Sequence, residues 1–313
     1  MKTGKDIFAP FTFDYPYRLF DNSLILNANC FEWMMRLPKE SIHAIVTDPP
    51  YGVKEFDLDQ LEKRKNGNGG IWRIPPSFDG HKRSPLPRFT ALNDKDIERL
   101  QSYFLAWAKL AYKILRPGGH IFMAANIILS QNVFESVHQA GFEYRGQIIR
   151  LVKTLRGGDR PKNAESKFPQ VCTMPRGCYE PWGIFRKPIP KGMRVSDCLE
   201  HYQTGALRRK PNGKPFEDVI ESERTPRSER AIAKHPSLKP QSFMRQIVYA
   251  SLPLGKGIVI DPFMGSGATI AAAKAVGYHS IGIERYQEYF IMSEKAIPLL
   301  SKINCDTQLS FSF

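Results

Sequence analysis

Two short stretches of this chain have the residue types and spacing to do chemistry. The first is Thr47-Asp48-Pro49-Pro50-Tyr51-Gly52. Consecutive prolines hold φ near about −65° and remove two amide donors, so the neighbouring carbonyls point in set directions. An aspartate, a rigid carbonyl and an aromatic ring then make a compact constellation for a flat substrate bearing an NH₂ group. The Asp48 carboxylate and the Pro49 carbonyl can each accept a hydrogen bond from that amine while Tyr51 stacks on the ring. Such an amine is a poor nucleophile because its lone pair is delocalised into the ring. Holding both hydrogens out of plane localises the pair for attack on a sulfonium methyl, a step of positioning and electrostatics that needs no metal. Alone, the stretch also reads as a plain turn.

The second is Asp261-Pro262-Phe263-Met264-Gly265-Ser266-Gly267, just beyond an apolar run. Glycines after a buried strand let the backbone approach a nucleotide-like ligand closely. Glu284 ends the next apolar run, where such folds hold ribose hydroxyls. A dinucleotide fingerprint would need a third glycine at position 270, which is Ile270, and this weakens an NAD reading. An ordinary strand–turn–helix is the alternative.

The elements that must position these stretches alternate. Short apolar runs predict strands at Leu24 to Asn27, Ala44 to Thr47, Ile121 to Ala124, Gln147 to Val152, Gly257 to Asp261 and Ser280 to Glu284. Helical spacing marks Cys30 to Leu37, Asp96 to Leu115, Leu129 to Ala140, Pro240 to Ser251, Ala268 to Val276 and Tyr286 to Leu300. Arg116-Pro117-Gly118-Gly119 reads as a helix terminator and Gly141 as another. Residues 1–20, rich in aromatics and prolines, are expected to form an extended arm. Residues 53–90 lack periodicity and read as a lid or loop over the substrate. The pattern predicts an α/β fold, a Rossmann-like doubly wound and mostly parallel sheet, interrupted once by an irregular insertion.

Charge is uneven along the chain. The net charge is +14, and between Arg145 and Lys239 there are 21 basic and 10 acidic residues. Such clustering fits a polyanionic partner, and equally a basic solvated surface. No apolar run reaches the ~18 residues of a membrane span, and the first residues lack the apolar core of a signal peptide. Five irregularly spaced cysteines predict no disulfide framework and a reducing, cytoplasmic setting. Cys172, Cys178, Cys198 and His201 match no compact zinc module, so no metal is expected.

Taken together, the two motifs resemble the amino-DNA methyltransferases, the N6-adenine and N4-cytosine family. Their signatures are a [DNS]-P-P-[YFW] catalytic loop and a D-P-F-x-G-S-G cofactor loop. The order here, catalytic loop, basic block, cofactor loop, resembles the β-class arrangement. Leu115-Arg116-Pro117-Gly118-Gly119 is similar to the family's helix-to-strand turn, and His235-Pro236-Ser237-Leu238-Lys239-Pro240 to the segment covering the methionine moiety.

The resemblance implies a class I methyltransferase fold and S-adenosyl-L-methionine as cofactor, with double-stranded DNA as substrate. Asp48, Pro49, Pro50 and Tyr51 would hold the target base. Asp261, Phe263, Gly265, Ser266, Gly267 and Glu284 would line the cofactor site together with Asp48, with Ser237 and Lys239 nearby. Asn29 stands where the family has an acidic residue near the cofactor's adenine; its amide oxygen can accept the same hydrogen bond. Residues 1–154 would be the catalytic half, 155–232 the target-recognition region and 233–313 the cofactor-binding half. In the middle region Arg156, Arg160, Lys162, Arg176, Arg186, Lys187, Arg208, Arg209 and Lys210 are the DNA-binding candidates, interleaved with Phe168, Tyr179, Trp182 and Phe185. The Asp-Pro-Pro-Tyr form points to adenine N6, with cytosine N4 as the alternative. A non-catalytic binder that keeps the fold, and an RNA or protein substrate, are further readings. By analogy with relatives, a cognate restriction endonuclease and a homodimer would be partners.

Overall fold

The computed structural model describes residues 4–50, 77–78, 81–82, 94–156, 161 and 163–305. The loop expectation for residues 53–90, and Tyr51, Arg160 and Lys162, lie outside that description, apart from a short pairing of β4 (Ser77–Phe78) with β5 (His81–Lys82).

The remaining strands are β1 (Tyr17–Leu19), β2 (Ser23–Asn27), β3 (Ile42–Thr47), β6 (Leu115–Ala124), β7 (Glu143–Arg156), β8 (Gly177–Arg186), β9 (Val219–Glu221), β10 (Ile258–Asp261) and β11 (His279–Glu284). They form one sheet in the order β1-β2-β11-β10-β3-β6-β8-β7-β9. From β2 through β6 every pairing is parallel, and β8 runs antiparallel to both of its neighbours.

Strands β2, β3 and β10 are buried nearly end to end, which explains why they read as continuous apolar runs rather than alternating ones. Alternation is nevertheless present, and it sorts residues between two cores. Leu24, Leu26, Ile45, Ile121, Met123 and Ile260 point to one face. There they meet α1 (Gly4–Thr12), α2 (Cys30–Arg36), α3 (Asp94–Ile114) and α4 (Ser130–Gln139) through Phe8, Trp33, Phe104, Trp107 and Val133. Ile25, Ala44, Val46, Phe122, Ala124 and Val259 point to the other. They pack on Ile247, Ile270 and Ile297 of α7 (Gln241–Ser251), α8 (Ala268–Ala275) and α9 (Gln287–Leu300). Helices on both faces of a mostly parallel sheet are the expected doubly wound layering.

Three expectations are corrected. The first twenty residues are not an extended arm, because α1 forms there, with Phe8 and Phe11 buried on the core, and β1 pairs with β2. Helix α3 stops at Ile114, just ahead of Arg116–Gly119 as expected, but these four residues are a bulge within β6 and not a turn before it: the pairing with β3 jumps from Leu115 to His120. Strand β6 already begins at Leu115, and Gly118 takes φ 74° where the β3 register shifts between Ile42 and Ala44.

The largest difference is β8, which lies within the interval 155–232 yet fills the gap between β6 and β7. Its Pro181 and Gly183 hide a strand from propensity. Gly183 is required by packing: an added Cβ would fall 2.8 Å from the Phe134 ring. Trp182 and Phe185, two of the aromatics interleaved with the basic candidates, are fully buried and pack in the core. The irregular part of this interval also carries α5 (Val195–Tyr202), β9 and α6 (Arg227–Ile232).

Candidate active site

Strands β3 and β10 are parallel neighbours, registered Ala44 to Val259 and Ile45 to Ile260. The chain leaves β3 towards β6 on one side of the sheet and leaves β10, through α8, towards β11 on the other. Crossovers that diverge from two adjacent strands open a crevice at their carboxyl ends, where ligands of such folds bind. Both chemical motifs emerge there. They are joined directly: Thr47 Oγ1 donates to Asp261 Oδ1 at 2.7 Å, and the Phe263 amide donates to the same oxygen at 3.1 Å. Burial pushes the Asp261 carboxyl up to about 6, against the opposing pull of its bonds from Thr269, Thr47 and Phe263.

The glycine loop is built for tight packing. Gly265 and Gly267 have φ of 53° and 87°, in the left-handed region that side chains avoid. A Cβ on Gly267 would meet Ile297 at 2.5 Å, and one on Gly265 would meet the His235 ring at 2.9 Å. The two glycines therefore let the loop lie against α9 and the His235 segment, and Ser266 between them is buried. Glu284 sits at the end of β11, accepting the Gly265 amide at 3.0 Å through Oε2 and the Tyr286 amide at 2.8 Å through Oε1. Its pKa is raised, by burial first, with the amide bonds opposing. Phe263 is half-buried against Trp107, ring centroids 6.0 Å apart. The Asn29 oxygen, named as a candidate near the cofactor's adenine, accepts the Phe31 amide at 2.9 Å and caps α2. Ser237 is exposed.

Lys239 departs furthest from expectation. Its ammonium lies 2.6 Å from Asp48 Oδ2 and 3.0 Å from Glu180 Oε1. Glu180 in turn binds Arg150 at 2.7 Å. Arg150 also donates to the Ser222 hydroxyl at 3.0 Å and to the Glu223 carbonyl at 2.8 Å. Four side chains of alternating sign thus run from the catalytic loop across β8 and β7. Burial disfavours the Lys239 charge, but Asp48 and Glu180 outweigh it and raise its pKa. Burial likewise disfavours ionised Glu180, and Lys239 and Arg150 outweigh it and lower its pKa. His235, beside Lys239, is pushed down to about 4 by burial and by that neighbouring charge.

Sequence reasoning missed Glu180 and Arg150 as parts of the site, and it named Thr47 and His235 only within their motif segments, with no role of their own. Arg150 carried a usable signal, since an arginine inside an apolar strand demands a buried acceptor.

The family model described as DNA methylase matches residues 42–295. The chain belongs to that family. The type II methyltransferase M2.LlaDCHI of Lactococcus lactis subsp. cremoris is 25% identical over 284 residues, covering 90% of this chain and 91% of that one. The type II methyltransferase M.HindIII of Haemophilus influenzae is 25% identical over 304 residues, covering 90% and 96%.

Among solved structures, the putative DNA modification methylase TTHA0409 of Thermus thermophilus, complexed with S-adenosyl-L-methionine, superposes with a TM-score of 0.54 at 17% identity, covering 88% of this chain and 93% of its own. The cytosine-N4-specific PvuII DNA methyltransferase gives 0.54 at 15% identity, covering 91% and 88%. These likenesses show a shared fold.

For a DNA methylase, the basic candidates separate into two groups. Arg176 and Arg209 are exposed. Arg186, Lys187 and Arg208 correct the expectation, because the fold itself holds them. Arg186 pairs with Glu143 at 2.6 Å. The Lys187 ammonium donates to the Leu115 carbonyl at 2.8 Å. Arg208 lies 4.3 Å over the Tyr249 ring and donates to the Tyr278 hydroxyl at 2.7 Å. Lys210 pairs with Glu217 at 2.6 Å, and Arg156 is described in backbone only. Among the candidate sulfur ligands, Cys198 is buried beside the Pro117 carbonyl, whereas Cys172 and Cys178 are exposed. Among the described residues no helix is long and apolar enough to cross a membrane.

Proposed function

We propose that this DNA methylase transfers the methyl group of S-adenosyl-L-methionine to the exocyclic N6 of adenine within a specific sequence of double-stranded DNA. The observation that carries the reading is the juxtaposition of Asp48 and Asp261, on neighbouring strands at the switch point, through the 2.7 Å bond from Thr47. That contact brings an amine-accepting carboxylate beside a glycine loop of nucleotide-binding form.

The donor set suits the cofactor. Glu284 supplies a carboxylate for a ribose diol, and Asp261 a buried carboxylate for an ammonium. Phe263 presents a half-buried ring. When bound, the cofactor supplies an electrophilic methyl on a sulfonium. The chain's own part is to hold the nucleophile. Asp48 and the Pro49 carbonyl take the amine's two hydrogens and Pro50 stiffens the loop, with Tyr51 assigned to stack on the flipped base. Arg176 and Arg209, with Arg156, Arg160 and Lys162, are the candidates for phosphate and base contacts. Adenine is favoured by aspartate, rather than serine, at position 48. Similarity to named type II methyltransferases supports a place in restriction–modification.

The test is tritium transfer from labelled cofactor to unmethylated genomic DNA, followed by digestion to nucleosides and mass spectrometry. N6-methyladenine from wild type and none from Asp48→Ala is the expected result. N4-methylcytosine would overturn the choice of base, and no labelled DNA the activity.

A further inference from the structure

We propose that Lys239 and Glu180 are positioning residues for the methyl transfer, Lys239 fixing the Asp48 carboxylate as an ionised acceptor for the amine and Glu180 fixing Lys239. This deepens the functional reading above and rests on it.

The geometry is a clamp between rigid elements. Asp48 lies one residue past β3, on a side chain with two free rotations. Its Oδ2 is held at 2.6 Å by an ammonium whose own backbone is pinned by Pro240, immediately ahead of α7. Glu180 belongs to β8 and Arg150 to β7, strands paired at this very position (Arg150 opposite Glu180). The bonds of Arg150 to Ser222 and Glu223 fix the far end. All four side chains are largely buried, at 15%, 13%, 20% and 7% exposure from Asp48 to Arg150.

Charge explains why a cation is needed here. Among the described residues, the groups facing the Asp48–Lys239 pair are Glu180 from β8, Arg150 from β7, Asp261 at the end of β10 and His235 from the segment of Lys239. Without Lys239, Asp48 would share the crevice with buried Asp261, and mutual repulsion would favour protonating one of them. A protonated Asp48 presents an O–H donor where the amine needs an acceptor. Glu180 completes the balance by holding Lys239 from the other side, so the ammonium stays on Asp48 instead of turning to water. Neither residue touches the reacting atoms.

Single-turnover transfer of tritiated methyl to unmethylated genomic DNA, measured from pH 5 to 9 in wild type, Lys239→Met, Lys239→Arg and Glu180→Gln, tests this. Cofactor affinity is read in parallel by calorimetry. Lys239→Met is expected to lose about a hundredfold in rate, the scale of a misplaced reacting group, with cofactor affinity within about twofold. Its acid limb should move to higher pH by about one unit, because a cation beside the acceptor has gone. Glu180→Gln frees Lys239 from the far side, so it should lose rate as Lys239→Met does but by less, with its acid limb moved the same way, and Lys239→Arg should recover most of the rate. Acid limbs graded with the loss of the Lys239 contact, at unchanged cofactor affinity, are not what loosened packing produces. If Lys239→Met does not fold, the near-isosteric Glu180→Gln carries the test alone. Unmoved acid limbs, or a loss residing in cofactor affinity, would overturn the proposal while the functional reading stands. Wild type giving no labelled DNA would instead remove the reading itself.

Discussion

Thr47→Val removes one hydroxyl and tests the joint between the two loops. Valine keeps the β-branched shape that suits the last residue of β3, and Thr47 is fully buried, so the main loss is the 2.7 Å bond to Asp261 Oδ1. Asp261 then keeps its bonds from Thr269 and the Phe263 amide, which bounds the damage. Hydrogen bonds to charged groups contribute about 1.5–3 kcal/mol and those between neutral groups about 1. The cost should therefore depend on whether Asp261 is ionised. Its folded pKa, pushed up to about 6, lies above the unfolded value. The native state thus binds the extra proton between those values, and stability falls as pH rises through that window. Losing the Thr47 bond raises the folded value further and extends the fall upward in pH. Urea unfolding of wild type and Thr47→Val at pH 5 and pH 8 should show a destabilisation of about 1 kcal/mol at the lower pH and about 2 at the higher. A penalty that is equal at both, or larger at pH 5, would refute the claim that the hydroxyl serves the Asp261 carboxylate.

Three other outcomes follow from the same geometry. Gly183→Ala places a Cβ 2.7 Å from Phe185 and 2.8 Å from Phe134, both buried rings, and should cost about 1–3 kcal/mol by denaturant midpoint. Arg208→Ala should lower thermal stability, because its guanidinium stacks on Tyr249. Exposed Arg209→Ala should leave stability unchanged and instead weaken DNA binding and flatten its salt dependence. Buried His43 and His120, pushed down to about 4 and about 3 chiefly by burial, stay neutral in the fold while the unfolded chain protonates them from about pH 6.5 downward. Their contribution is full above that pH and is lost on acidification, on the order of 3 kcal/mol each by pH 4. A urea midpoint that holds constant between pH 6.5 and 4.5 would contradict this.

The sheet's central strands were legible because burial on both faces turns them into uninterrupted apolar runs, as Ile258–Asp261 and Ile42–Thr47 show. The motifs were legible because each ends such a run. What escaped was structure whose signal depends on distant partners. Pro181 and Gly183 deny β8 the residues of a strand, and only its slot between β6 and β7 and the Phe134 ring over Gly183 make it one. Pro10 within α1 disguised a helix in the same way, since Phe8 and Phe11 read as helical only once a core lies beneath them. The bond from Lys239 to Asp48 spans 191 positions, and no local pattern announces it.

Asp48 and Asp261 show what that bond adds. Both are aspartates followed by proline, at the carboxyl ends of adjacent parallel strands, so sequence and topology treat them alike. Their surroundings divide them. Asp261 is buried among hydroxyls and an amide, with no cation bonded to it among the described residues, and its carboxyl is driven up to about 6. Asp48 instead meets an ammonium that a second carboxylate holds in place. Carboxylates placed in such different surroundings take different tasks, one fixing structure or binding a cation and the other accepting the hydrogen bonds of the amine. Thr47 donates to the first from the residue next to the second, so the two environments are set against each other over a single peptide link.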